Sequence, residues 1–126
     1  MNVLVDTSVW VAHFKQRDAQ LVALLNGGMV ACHPYVIAEI ACGTPPNRRD
    51  VIQMLSDLEQ ATVATTDEVL ALIERQRLYG RGCGFVDVSL LASTLLCGNT
   101  QLLTKDGPLL LVASALGCAY QTDLSH

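Results

Sequence analysis

The sequence has few residues of the kinds that bind zinc or form disulfides. Its five cysteines are an odd number and include no CxxC pair, and only three histidines are present. A zinc site on Cys32, His33 and Cys42 would use suitable ligand types, but this spacing matches no recognised zinc pattern. We therefore expect all five cysteines to be reduced residues of the core, at positions 32, 42, 83, 97 and 118.

The start of the sequence also lacks a basic flank and a long hydrophobic run. The apolar stretch before Asp6 is too short for a signal-peptide core or a membrane span. We expect a soluble, cytoplasmic protein. A length of 126 residues with 51% hydrophobic content suits one domain over residues 1–126 with one core.

A basic excess, which is typical of nucleic-acid-binding proteins, is missing as well. Twelve Asp and Glu residues against eight Lys and Arg give a net charge of −4. This charge does not exclude an RNA partner, because four of the acids are candidates for a cation site and the remaining eight only balance the bases. Clustered arginines could contact phosphates, although solvated helix faces would explain each one equally well. They are Arg48, Arg49, Arg75, Arg77 and Arg81.

Short apolar runs alternate with helical patterns along the chain. The runs predict strands at 3–5, 29–32, 61–64 and 101–104, with a short final strand at 118–120. Helices are predicted between them, with Asp18, Asn47 and the Thr65–Glu68 pair as N-terminal caps. The alternation indicates an α/β fold with a mainly parallel sheet, in which ligands bind beyond the carboxyl ends of the strands.

Four acids occupy positions suited to such a site. Asp6 and Asp106 each follow a predicted strand, Asp87 opens a helix after a glycine-rich segment at 80–84, and Glu39 lies inside a helix. Each has a simple structural explanation, as a helix cap, a favourable charge at a helix start or an exposed helix residue. Together, their placement favours a shared acidic site.

The segments that carry these acids resemble, in the same order, those of PIN-domain proteins, and in particular the VapC-type toxins of bacterial toxin–antitoxin pairs. The segments are Asp6-Thr7-Ser8-Val9-Trp10, Val36-Ile37-Ala38-Glu39-Ile40-Ala41-Cys42-Gly43, Gly82-Cys83-Gly84-Phe85-Val86-Asp87 and Leu103-Thr104-Lys105-Asp106. The resemblance spans nearly the whole chain, from Val3 to about Tyr120. It implies a three-layer α/β/α fold with about five strands in the order 3-2-1-4-5.

The same resemblance implies an endoribonuclease that uses Mg²⁺ or Mn²⁺. Its catalytic acids would be Asp6, Glu39, Asp87 and Asp106. Asp6 and Asp87 are the best candidates for direct metal ligands, and Ser8 and Thr104 match polar positions that support the site. Mg²⁺ prefers oxygen ligands, and a metal-activated water can attack a phosphodiester, so these residue types suit the chemistry. Cys83 stands where the family often has an aliphatic residue.

The resemblance also implies three partners: an RNA substrate, a VapB-type antitoxin and a second copy of the chain. The apolar residues Leu21, Leu24 and Leu25 suggest a surface shared with a protein partner. One alternative is a catalytically silent interaction module that acts through its antitoxin, although the intact acids argue against it. Phosphoacceptor receiver domains usually carry adjacent acids after the first strand, where this chain has only Asp6. A haloacid-dehalogenase-like phosphatase would need a second Asp in place of Ser8.

Overall fold

Four parallel strands form the sheet in the computed structural model, which describes residues 1–121. They are β1 (Asn2–Val5), β2 (Val30–Cys32), β3 (Glu59–Gln60) and β4 (Thr100–Leu103). Their order across the sheet is β3-β2-β1-β4. Residues 3–5 of β1 are all fully buried. Because successive strand side chains point to opposite faces, both faces of the sheet must be covered.

Seven helices connect and cover the strands within the described residues. They are α1 (Thr7–Lys15), α2 (Ala19–Asn26), α3 (Pro34–Ala41), α4 (Arg48–Asp57), α5 (Thr66–Gln76), α6 (Phe85–Leu96) and α7 (Gly107–Ala115). Asp18 caps α2 through the Leu21 N–H, and Thr65 forms a capping box with Glu68 at α5. These two cap predictions are confirmed. Asn47 lies at the predicted N-cap position of α4, but its φ is 51° and its side chain makes no cap hydrogen bond.

The predicted α/β fold and the order of its first four strands are confirmed. The third strand, however, ends before the predicted range of 61–64. The Ala61 N–H donates the last hydrogen bond of this segment to the Cys32 carbonyl in β2. The side chains of Ala61 and Ala64 are buried, although neither residue belongs to β3. The predicted fifth strand is reduced to a single parallel bridge between Leu102 and Ala119.

Two expectations about the surface are wrong. Leu21 and Leu24 are buried in the core of this chain and Leu25 packs against it, so these leucines do not form the expected surface for a partner. Cys42 is exposed rather than buried, because it follows the last turn of α3. Across residues 1–121, no helix is long and apolar enough to cross a membrane.

Candidate active site

Asp6 follows β1 at the carboxyl edge of the sheet, where its carboxylate is buried at 5% exposure. Because Val5 pairs with Leu103 in β4, Asp6 emerges beside Thr104. The Thr104 hydroxyl donates to Asp6 Oδ2 at 2.8 Å, and the Ser8 hydroxyl donates to the same oxygen at 2.7 Å. Although Asp6 occupies the N-cap position of α1, its side chain makes no cap hydrogen bond. The capping explanation therefore fails for this acid.

The same two hydroxyls hold the segment that carries Asp106. Thr104 Oγ1 accepts a hydrogen bond from the Asp106 N–H, and Ser8 Oγ accepts one from the Lys105 N–H, both at 3.0 Å. Asp106 Oδ2 accepts from the Leu109 N–H at 3.0 Å, so this acid does cap α7. Ser8 and Thr104 thus lie where the sequence predicted, bonded to one acid and to the backbone around another.

The glycine-rich segment before α6 brings Asp87 close to the start of α7. Gly82 has φ +81°, and a Cβ built there would lie 3.2 Å from Pro108 Cβ, so this close approach requires glycine. Asp87, in the first turn of α6, accepts a hydrogen bond at Oδ2 from the Gly84 N–H at 3.1 Å. The segment therefore positions the Asp87 carboxylate at the end of the helix nearest Asp106.

Glu39 reaches the site from α3. Its Oε1 accepts a hydrogen bond of 2.6 Å from the hydroxyl of Thr7, the residue that follows Asp6. Glu39 is exposed, while Asp6 is buried. Thr7 was not predicted from the sequence to have a role in the site. The one feature that could have indicated it is a hydroxyl side chain directly after Asp6, in the segment that also contains Ser8.

The charges of the other three acids act on Asp87. Partial burial is the largest cause of its raised pKa, the Gly84 N–H opposes the rise, and the negative charges of Asp6, Asp106 and Glu39 each raise it further. Burial raises the pKa of the neighbouring Cys83 thiol as well, and the charges of Asp87 and Asp106 add to that rise. A raised pKa disfavours the reactive thiolate at this position.

The donor set suits a hard cation that keeps much of its water. All four candidates supply carboxylate oxygens, which Mg²⁺ prefers, and Mg²⁺ is often held by one or two carboxylates together with water and substrate phosphates. Within residues 1–121 no group of three or more His, Cys, Asp or Glu side chains is placed to hold an ion on its own. The arrangement therefore fits an ion held partly through water, and not one held by protein ligands alone.

The alternative zinc site is excluded by the surroundings of its ligands. His33 is fully buried, its Nδ1 accepts from the Tyr35 N–H, and its Nε2 lies 3.0 Å from Ser93 Oγ. Both ring nitrogens are thus already used. Burial raises the pKa of Cys32 to about 11, which disfavours a thiolate ligand, and Cys42 is exposed.

The five arginines named above are all exposed and lie in two places. Arg48 and Arg49 begin α4, and Arg48 donates to the Ala41 carbonyl at 2.7 and 3.2 Å, which satisfies the end of α3. Arg75, Arg77 and Arg81 lie at the end of α5 and in the segment that leads to α6. Burial and the charges of Asp87 and Asp106 raise the pKa of Cys83, and the charge of Arg81, two positions before it, partly offsets that rise.

Comparison with known proteins shows similarity to ribonucleases. No family model matches this chain. It is 45% identical to Ribonuclease VapC32 of Mycobacterium tuberculosis (strain CDC 1551 / Oshkosh) over 123 residues, which cover 98% of this chain and 99% of that protein. The protein of the same name from strain ATCC 25618 / H37Rv shows the same identity and coverage. The aligned region therefore spans the positions of all four acids.

Proposed function

This chain belongs to the VapC ribonuclease family, and from that premise we propose that it is a metal-dependent endoribonuclease. Its site would be formed by Asp6, Glu39, Asp87 and Asp106. The observation that carries the proposal is the convergence of these acids: the Ser8 and Thr104 hydroxyls join Asp6 to the segment that carries Asp106, and Thr7, the residue after Asp6, donates to Glu39. The pKa of Asp87 is raised by partial burial and, in addition, by the charges of the other three acids. Like charges held together without a local cation are unfavourable, and a divalent ion would relieve that repulsion.

In this mechanism, Asp6 and Asp87 would hold Mg²⁺ or Mn²⁺, and Glu39 and Asp106 would act directly or through water. The bound ion would activate water and stabilise charge on the attacking and leaving oxygens. Attack by water would leave 5′-phosphate and 3′-hydroxyl ends. The protein's own contribution is orientation: Ser8 and Thr104 fix one oxygen of Asp6.

Thr7 contributes orientation of the same kind at Glu39. Its hydroxyl donates to Oε1, which restricts an exposed side chain that would otherwise sample many rotamers. A carboxylate already held toward the other acids loses less conformational freedom when an ion or an ion-bound water binds. Thr7 is therefore proposed as a positioning residue, beside Ser8 and Thr104.

We propose that the chain acts in the cytoplasm as the toxin of a toxin–antitoxin pair. A groove of about 370 Å³ suits the tail of a VapB-type antitoxin, because it is largely apolar and its lining includes the candidate acid Glu39. Its lining includes Val11, Phe14, Ile40 and Pro45. The leucines of α2 are buried, so we propose exposed leucines on α6 and α7 as the contact surface of the homodimer. They are Leu95, Leu96, Leu110 and Leu111.

The test is cleavage of total RNA by the purified protein in Mg²⁺, in Mn²⁺ and in EDTA, with the fragment ends mapped. The expected result is metal-dependent cleavage that leaves 5′-phosphates. Asp6→Asn keeps an oxygen to accept the Ser8 and Thr104 hydroxyls, so it should stay folded and lose cleavage. Full activity in EDTA, or no cleavage by a folded parent protein in either metal, would refute the proposal.

A further inference from the structure

Two aromatic side chains are in contact between the helices that carry Glu39 and Asp87. The ring centroids of Tyr35 in α3 and Phe85 in α6 lie 6.0 Å apart with 39° between the planes. Aromatic residues make up only 5% of the sequence, yet Phe85 is 51% exposed. An exposed phenylalanine that packs against a second ring has an apolar surface available to a ligand.

The aromatic pair lies beside the acidic site. Phe85 is the first residue of α6, two positions before Asp87, which corresponds to a rise of about 3 Å along the helix axis. Tyr35 precedes Glu39 by four positions in α3, so the two share one face of that helix, about one turn apart. Because Tyr35 shares a face with Glu39 and packs on Phe85, an RNA strand with a phosphate at the carboxylates can extend across these rings.

Buried contacts hold the pair in place. The ring of His33 lies 4.9 Å from that of Tyr35, and its Nδ1 accepts from the Tyr35 N–H. The opposite ring nitrogen, Nε2, lies 3.0 Å from Ser93 Oγ in α6. His33 thus connects Tyr35 to the helix that carries Phe85. The backing of the Phe85 ring is preorganised before a ligand arrives.

We propose that Phe85, backed by Tyr35, stacks on an RNA base next to the phosphate that is cut. Base–aromatic stacking accepts any base, and it needs a base that is free of its own stack, so the substrate would be single-stranded at this point. Apolar stacking also suits a chain of net charge −4, whose electrostatic attraction for RNA is weak. The inference rests on the proposed ribonuclease function.

The kinetic test compares Phe85→Leu and Phe85→Trp on an RNA oligonucleotide with one mapped cleavage site. Leucine keeps an apolar side chain without a π-face, so kcat/KM should fall by about 5- to 100-fold, mainly through KM. Tryptophan should keep the parent's kcat/KM. Tyr79→Leu removes an aromatic ring that is 63% exposed in the loop after α5, and is the matched control expected to change nothing.

An abasic substrate separates stacking from a general effect on the fold. If Phe85 stacks on the base beside the cut, an abasic residue there should slow the parent as much as Phe85→Leu slows cleavage of intact RNA. The variant should then lose nothing further on the abasic RNA. If Phe85→Leu lowers kcat/KM on the abasic RNA by the same factor as on intact RNA, the base and the side chain do not interact. That result would overturn the proposal.

Fluorescence supplies a measurement that does not depend on cleavage. Trp10 is fully buried, so the indole of Phe85→Trp would be the accessible fluorophore. With Ca²⁺ in place of Mg²⁺, single-stranded oligouridine should quench this emission, and double-stranded RNA should quench it less. A gel verifies that the RNA stays intact during the measurement. Absence of quenching overturns the stacking platform, whether or not the parent cleaves RNA.

The outcomes distinguish this inference from the proposed function. If the parent cleaves RNA and Phe85→Leu cleaves it with the same kcat/KM, the ribonuclease function stands and the platform is wrong. If Phe85→Leu spares cleavage but weakens an antitoxin complex or a dimer, the pair is a protein contact and the inference is again wrong. If the parent never cleaves RNA, the proposed function fails, and the fluorescence result alone decides the platform.

Discussion

Replacing Asp87 with asparagine should separate a functional acid from a structural one. Its ionised form is opposed by partial burial and by three neighbouring carboxylates, and is favoured by the Gly84 N–H. Asparagine keeps an oxygen that can accept from Gly84, and it removes the charge. In EDTA at neutral pH, Asp87→Asn should therefore match or exceed the parent's melting temperature, while losing most Mg²⁺-dependent RNA cleavage.

Opposing contributions set the size of the effect. Loss of a favourable charge at the start of α6 costs about 0.3–1 kcal/mol. Relief of desolvation and of three repulsions acts in the other direction, and a net gain of about 1 kcal/mol would raise the melting temperature by about 4 °C in a domain of this size. Mg²⁺ at about ten times its Kd should stabilise the parent by about 1.4 kcal/mol, and the variant much less.

The pH dependence of stability provides an independent check on whether the Asp87 charge destabilises the fold. Because the folded-state pKa of Asp87 is raised, the protonated form favours folding below the unfolded pKa of 3.8, and this contribution is lost as pH rises through the folded pKa. In EDTA, any stability advantage of Asp87→Asn over the parent should therefore appear above that pH range and shrink as the solution is acidified through it. Melting curves over the acid range measure this difference.

Asp67→Asn is the matched control. Asp67 also lies in the first turn of a helix, α5, but it is exposed and is not one of the four candidate acids. This variant should lose only the helix-dipole contribution, melt slightly lower with or without metal, and cleave RNA at the parent's rate. An Asp87→Asn protein that behaves in the same way would refute the shared metal site.

Three further predictions test the surroundings of the site. Thr104→Val should lower the free energy of unfolding by about 1–3 kcal/mol in urea titrations, because Asp6 Oδ2 loses a donor and a backbone N–H loses its acceptor. Burial lowers the pKa of His33, so the unfolded state protonates first. The melting temperature should thus fall as pH drops below about 6.5, and His33→Asn should flatten that fall. Arg81→Gln should weaken RNA binding and reduce the slope of log affinity against log salt concentration by about one unit. Arg48→Gln, which loses a hydrogen bond to the Ala41 carbonyl, should leave that slope unchanged.

The sequence predicted those features that depend on local patterns. Apolar runs located β1, β2 and β4, and the Thr65–Glu68 spacing predicted a capping box that the structure contains. The third strand was misplaced because buried alanines at 61 and 64 look the same in a strand and in an extended loop. Only the hydrogen-bond partner of each residue separates these cases, and that partner lies elsewhere in the chain.

Contacts between distant segments could not be predicted in this way. The bond from Thr7 to Glu39 joins residues 32 positions apart, and the Tyr35–Phe85 contact joins two helices. Thr7, Tyr35 and Phe85 had no role assigned from the sequence, although each lies near a recognisable acid along its helix. Motifs therefore predicted the four candidate acids with Ser8 and Thr104, and the part played by Thr7 became visible only when the strands and helices were packed together.

The two acids at strand ends show how a local rule fails where function competes with stability. Asp106 caps α7, as its position predicts, whereas Asp6 occupies the equivalent place in α1 and caps nothing. Loss of a helix cap costs about 0.5–2 kcal/mol. The Asp6 carboxylate is instead bonded by Ser8 and Thr104, in a buried position from which its charge raises the pKa of Asp87. An aspartate selected for stability would cap its helix, so this uncapped helix start is itself an argument that Asp6 serves the chemistry of the site.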